Sequence, residues 1–371
     1  MKAIHIVPSL HAKHGGPSKS VLGLAKAIAD AGVETELLST EAGAGWSATE
    51  GSLQIRVFRR DRPNSICPSS GLRDYLARAR ADIFHHHSIW LRTLHYAHRA
   101  ARTARAPLVI SPRGMMDPWA WRHHSRRKVL ARVFIHPGAF EAAAGWHATS
   151  DAEASEIRKL GFGQPVCTAP NGLADPGDTA GAAEYWNELV PNARSKRIAL
   201  FYSRLHQKKR VIELIDTWLA HAPADWLLLI VGIPEQYSAK AINDYVVRAG
   251  GSGRVRAFDG SDKPAPYPAA SLFLLPSHGE NFGLSIGEAL ANGLPVLVTD
   301  STPWSRVNEL GAGWCVPWGQ FANALVAATS EGTDKLKERG RTGRRWVLEQ
   351  FSWETSARRL IEFYGGLKGQ V

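Results

Sequence analysis

Short, almost wholly apolar runs alternate with amphipathic stretches along the whole chain. In the first half, runs near residues 3–8, 35–39, 54–58, 82–86, 107–111, 145–149 and 165–169 read as strands buried on both faces. After residue 172 the pattern restarts at 197–203 and continues at 226–231, 255–258, 272–276, 295–299 and 314–316. Between the first two strands, residues 18–31 have helical periodicity and stop at Gly32, with Ser18 placed as an N-cap. Strands separated by helices predict an α/β protein with parallel sheets. Asn171-Gly172 reads as a turn, and 174–178 as a polar linker rich in breakers. A chain of 371 residues is long for one core. The expectation is therefore two doubly wound domains, 1–172 and 173–354, with an interdomain cleft and ligands at the carboxyl ends of strands. The tail from Phe351 reads as a helix broken from the one before it.

Charge changes this picture by being lopsided. The net charge is +11, and residues 1–172 carry 23 of the 45 Lys and Arg but only 13 of the 34 Asp and Glu. Arg99, Arg102, Arg105, Arg113, Arg122, Arg126, Arg127, Lys128 and Arg132 face only Asp117 within 99–132. Such a field favours an anionic partner: lipid headgroups, pyrophosphate or nucleic acid. Cys67, Cys167 and Cys315 are far apart, which excludes a disulfide framework and suits a reducing, cytoplasmic compartment. No apolar run reaches 18 residues, and the opening segment reads as a strand too short to be the core of a signal peptide.

The candidate chemistry gathers at strand ends. Residues 271–291 read as a buried strand, a polar loop and a helix, with Glu280 in the loop and Glu288 in the helix. A helix start offers free backbone N–H groups to phosphate near Asn281, Phe282, Gly283 and Leu284. Carboxylates beside it accept hydrogen bonds from sugar hydroxyls. Two lone Glu residues are also compatible with a solvated helix face. Arg204 and Lys209 follow the strand at 197–203 with a spacing able to neutralise a diphosphate, although a solvated basic turn has the same composition. Gly15-Gly16 allows close backbone approach after the first strand, or serves an ordinary strand-to-helix turn.

His85, His86 and His87 end another strand; alternation puts His85 and His87 on one face, at best a two-ligand metal site, so no metal is expected. Arg113 lies in Ser111-Pro112-Arg113-Gly114-Met115, which a simple turn would also explain. Trp119, Trp121, Arg122, Arg126, Arg127 and Lys128 form an aromatic and basic stretch suited to an anionic membrane surface, or to a solvated helix face with a few buried Trp. Gly260 and Ser261 close a further strand of the second half.

Glu280 and Glu288, Arg204 and Lys209, Gly15-Gly16 and the two-domain layout resemble, in order and spacing, the GT4-type family of retaining glycosyltransferases with the GT-B fold and its E-x7-E motif. His85 to Trp90 is similar to the family's H-x-H-G-L-W segment, with Ser88 in place of Gly; Arg210 also stands where relatives commonly have Gly. The resemblance implies that residues 355–371 return to the first domain. It implies a UDP- or GDP-linked sugar donor in the second domain: Glu288 on the ribose, Glu280 on the sugar, Arg204 and Lys209 on the pyrophosphate, and the Gly260-Ser261 backbone near the base. His87 and Arg113 face the reacting groups, Arg113 holding either the leaving phosphate or an acidic group of the acceptor. No D-x-D triplet occurs, so neither metal nor other cofactor is expected. The implied acceptor is a saccharide, by default lipid-linked and destined for a bacterial surface polysaccharide, handled by a peripheral protein at the inner face of the plasma membrane. A nucleotide-sugar 2-epimerase or sugar-phosphate synthase of the same fold is the enzymatic alternative. A basic nucleic-acid-binding protein is the alternative of another class, disfavoured because no nucleic-acid module is recognisable.

Overall fold

The structure is a computed structural model that describes residues 1–11, 16–42, 47–116, 121, 125–190 and 196–369, without the side chains of residues 17 and 125–127. The chain divides into two compact units, Met1–Gly172 with Phe351–Val371 and Leu173–Gln350. The return to the first unit comes at Phe351, four residues ahead of the predicted 355. The helix Thr333–Gln350 ends there, and Ser352 caps the next one, Trp353–Lys368, by accepting from Thr355 N.

The first unit holds one sheet of β1 (Lys2–Val7), β2 (Glu34–Ser39), β3 (Thr49–Glu50), β4 (Leu53–Val57), β5 (Ile83–His87), β6 (Leu108–Ser111), β7 (Gly145–Ala148) and β8 (Val166–Thr168). Their order is β3-β4-β2-β1-β5-β6-β7-β8, parallel except for the β3–β4 pair. The short β3 escaped the sequence pattern. The second unit holds β9 (Arg197–Leu205), β10 (Trp226–Pro234), β11 (Val255–Asp259), β12 (Leu272–Leu275), β13 (Val296–Thr299) and β14 (Gly313–Val316), in the order β11-β10-β9-β12-β13-β14, all parallel. Its central strands are apolar on both faces: Leu272 to Leu275 and Val296 to Val298 are fully buried.

Among the parallel strands of each sheet the order reverses at the centre, between β1 and β5 and between β9 and β12. The carboxyl ends beside such a reversal leave a crevice where ligands bind in doubly wound sheets. In the first unit the helix Trp353–Lys368 packs on the helix Gly16–Asp30, and Leu360, Tyr364 and Leu367 share a core with Leu24, Ile28 and Val33. The Trp353 ring lies so close to Gly23 and Gly172 that a Cβ at either would fall 2.6 and 2.2 Å from it.

The first helix starts at Gly16, so Ser18 is within it and is not its N-cap; the Ser18 hydroxyl donates to Ser9 O at 3.1 Å instead. Among the described residues no helix is long and apolar enough to cross a membrane.

Candidate active site

The reversal between β9 and β12 collects Arg204, Lys209, Glu280 and Glu288. β9 carries Arg204, then a tight turn, Gln207–Lys209, delivers Lys209 to the start of the helix Val211–His221. β12 runs through a loop to the helix Leu284–Ala291. The two strand ends are stitched together: His278 N donates to Lys208 O at 2.8 Å and Ser277 Oγ to the same carbonyl at 3.2 Å. Thr299 Oγ1 and Ser301 Oγ donate to Ser277 O at 2.6 and 2.7 Å. Held this way, Glu280 forms a buried ion pair with Lys209. Burial pushes the Glu280 carboxyl up, but the Lys209 ammonium and the bonds it and Ser277 donate outweigh this and hold it below the usual range. Burial pulls Lys209 down, against the attraction of Glu280.

Glu288, half-buried, accepts from Tyr267 Oη at 2.8 Å. Gly283 is left-handed at φ 75, and a Cβ there would fall 2.9 Å from Ile286 Cδ1. As N-cap of the helix Leu284–Ala291, Gly283 has no side chain to cap the helix start.

The reversal between β1 and β5 is built differently. His5, His85, His87 and His147 are all buried there. His87 Nδ1 is 3.1 Å from Arg113 Nη2, and an arginine only donates, so that nitrogen is bare and Nε2 carries the proton. His87 Nε2 then donates to His5 Nδ1 at 3.0 Å. Nitrogens of His5, His85 and His87 lie within 4.8 Å of one another, the spread of a three-ligand metal cluster that strand alternation alone did not reveal. The chemistry opposes a metal: binding at His87 Nε2 would move the proton to Nδ1, against the Arg113 donor. His85 Nδ1 meets Tyr364 Oη at 2.6 Å, and His147 Nε2 donates to Ala169 O at 2.8 Å. Burial pushes His5, His86 and His147 down to about 3.

The family model described as "Glycosyl transferase 4-like domain" matches residues 15–172, and that described as "Glycosyl transferases group 1" matches 196–332. The chain belongs to the GT4 glycosyltransferase family. A D-inositol 3-phosphate glycosyltransferase from Gordonia bronchialis is 36% identical over 26% of the GT4 chain and 22% of its own length. The lipopolysaccharide core biosynthesis mannosyltransferase LpsB of Rhizobium meliloti is 27% identical over 47% and 52% respectively. The chain thus spans about a fifth and a half of these relatives. The crystal structure of Anabaena HepE in complex with UDP and glucose superposes with a TM-score of 0.79 at 19% identity, over 99% of this chain and all of that one. The fold is GT-B.

The two positions where the resemblance implies glycine adopt the conformation glycine favours. Ser88 has φ 84 and Arg210 has φ 50, both left-handed. The Arg210 guanidinium lies 4.8 Å from the Trp318 ring centre, and its Nε donates to His278 Nε2 at 3.2 Å.

Other predicted residues are placed as follows. Arg204 is half exposed, its Nη1 2.9 Å from both carboxylate oxygens of Glu235, an acid just past β10 that the sequence reading did not single out. Asn281 and Leu284 flank the start of the helix Leu284–Ala291, while the Phe282 ring is buried against Trp304. Gly260 is buried beyond β11, with its N donating to Gly232 O at 3.0 Å, and Ser261 turns back to Asp259 Oδ1 at 2.6 Å. His87 is fully buried with both ring nitrogens engaged, one by His5 and the other by Arg113.

Gly16 is exposed at its helix start. Gly15, Trp119 and Arg122, with the side chains of Arg126 and Arg127, lie outside the described residues. Trp121 turns inward, 5.3 Å from the Trp90 ring, and Lys128 Nζ lies 5.7 Å over Trp90. The exposed apolar groups of that segment are Val129, Leu130, Val133 and Phe134, which the aromatic and basic composition had overshadowed.

Proposed function

We propose that this protein transfers a hexose from a nucleotide-diphosphate sugar to a saccharide acceptor with retention of anomeric configuration and without a metal ion. The observation that carries the reading is the placing of Lys209, Glu280, Glu288 and an uncapped helix start around one strand reversal. The donor lies there with Glu288 on the ribose hydroxyls and Glu280 on the sugar hydroxyls. Arg204, Lys209 and the N–H groups near Gly283 and Leu284 hold the diphosphate and stabilise its developing charge. The backbone at Gly260 and Ser261 borders the base. The acceptor oxygen attacks the anomeric carbon from the side the diphosphate leaves. The carbon–oxygen bond to phosphate breaks, and the acceptor's proton passes to the departing phosphate oxygen. The name of the LpsB relative and the charge of the first unit support a lipid-linked acceptor of a bacterial surface polysaccharide. Val129, Leu130, Val133 and Phe134, exposed on a basic segment, support peripheral contact with an anionic membrane at its cytoplasmic face.

A thermal-shift panel of UDP, GDP, ADP and their sugar conjugates tests the donor site, because a ligand bound only by the folded state raises the melting temperature. One nucleotide family giving the shift, and its loss in Glu288→Ala with the fold intact, is the expected result. No shift with any nucleotide removes the reading. Donor turnover that needs no acceptor would replace it with epimerisation.

A further inference from the structure

Two tyrosines of the second unit, Tyr202 and Tyr267, stand beside Glu288, and the sequence singles out neither. Tyr267 comes from the short turn Tyr267–Ala269 ahead of β12, and Tyr202 from the carboxyl half of β9. Their rings meet edge to face with centres 5.4 Å apart, and Tyr267 also packs on Phe273 of β12 at 6.1 Å.

Tyr267 is 2% exposed. A buried phenol needs a hydrogen-bond partner. Here two acceptors of the helix Leu284–Ala291 face it: Glu288 Oε2 at 2.8 Å and Ser285 O at 3.3 Å. Burial, and after it Glu288, pushes Tyr267 well above the ordinary tyrosine value, so the phenol keeps its proton and donates. One buried hydroxyl thus ties down a carboxylate oxygen of Glu288 and sets the direction in which the carboxylate points. Buried as it is, Tyr267 reaches a ligand only through Glu288.

Tyr202 is half-buried. Burial, and after it Glu288 acting through space, raises this phenol too, yet its hydroxyl makes no hydrogen bond among the described residues. It also borders Gly260, where a Cβ would fall 3.5 Å from Tyr202 Cε2. Tyr202 therefore neighbours both the Glu288 carboxylate and the Gly260 backbone. A carboxylate only accepts, whereas a phenol donates as well. Close to one another and not bonded to one another, the two groups match a vicinal diol: one sugar hydroxyl donates to Glu288, and the oxygen of its neighbour accepts from Tyr202.

We propose that Tyr202 and Tyr267 set the preference of this site for a ribose diol, Tyr202 by meeting the diol with its hydroxyl and Tyr267 as the positioning residue of Glu288. This rests on the transferase reading for the nucleotide that carries the ribose. Every group involved lies in the second unit.

The test titrates UDP, GDP and their dideoxy counterparts, which lack both ribose hydroxyls, against the melting temperature of the full chain and of Tyr202→Phe and Tyr267→Phe. Phenylalanine keeps the ring and removes only the hydroxyl. The wild type is expected to bind one ribonucleotide roughly tenfold or more tighter than its dideoxy form. That ratio should shrink severalfold in each variant through a weaker ribonucleotide, with the dideoxy affinity unchanged. A merely structural tyrosine would lower the melting temperature, or both affinities alike, and leave the ratio intact; that result overturns the role of the tyrosine concerned. A wild-type ratio near one overturns the proposal and leaves the donor reading standing. A wild type that responds to no nucleotide removes both. If Tyr267→Phe does not fold, Tyr202→Phe, which has no hydrogen bond to lose, decides.

Discussion

Ser88 and Arg210 hold backbone conformations in which a Cβ is unwelcome, by about 1 to 2 kcal/mol for an L-residue. Glycine relieves that strain but adds entropy to the unfolded chain. Ser88→Gly is therefore expected to stabilise by up to about 1 kcal/mol in urea unfolding. Arg210→Gly should gain less, because it also loses the Trp318 and His278 contacts; equal gains would contradict this account. Arg204 is engaged by Glu235, so Glu235→Gln frees it for a diphosphate. Donor affinity measured by calorimetry should rise severalfold in that variant; a weaker donor would show that Glu235 positions Arg204 instead of competing for it. The sequence singled out Lys209 and Glu280 because each follows a strand end by a few residues, and Glu288 because it lies on the helix that continues from the Glu280 loop. It hid His5, Glu235, Tyr267 and Tyr364, whose partners are brought by neighbouring strands or, for His85 and Tyr364, from 279 residues away.

Strands were the most legible elements, since a parallel sheet covered on both faces writes itself as an unbroken apolar run. The start of the first helix was less legible, as the Gly16-Pro17 entry competes with Ser18 as a boundary signal. The segment from Ser125–Leu130 into the wider turn Ala131–Ile135 shows a different limit: composition marked it as basic and aromatic, but only packing reveals that Trp121 points in and Leu130 and Phe134 point out. If this face meets a bilayer, Leu130→Asp with Phe134→Asp should abolish cosedimentation with phosphatidylglycerol vesicles. Stability should change by no more than about 0.5 kcal/mol per site, as for exposed positions generally. Undiminished cosedimentation would place the membrane contact elsewhere.

For the molecule as a whole, the buried histidines set the acid limit. His5, His86 and His147 ordinarily titrate near 6.5 and are pushed down to about 3 by burial. Between those values the unfolded chain takes up protons that the folded chain refuses, so the stability they contribute is complete above about pH 6.5 and is lost as pH falls toward 3. Each imidazole adds about 1.4 kcal/mol per pH unit to that slope. Unfolding free energies at pH 7, 6 and 5 should fall with a slope of at least three protons, since His85 and His87 are lowered too and His95 and His136 are pushed down to about 4; a flat profile would contradict the burial. The return of Phe351–Val371 to the first unit has a further consequence, for biosynthesis. The earliest-made 172 residues emerge from the ribosome with the Leu24, Ile28 and Val33 face still uncovered. Its cover arrives only after residues 173–350 have been translated, a delay on the order of ten seconds or more. The later-made unit, continuous in the chain, has everything it needs first; the first to be synthesised is the last to be completed, and in that interval its open apolar face is a natural client for a chaperone.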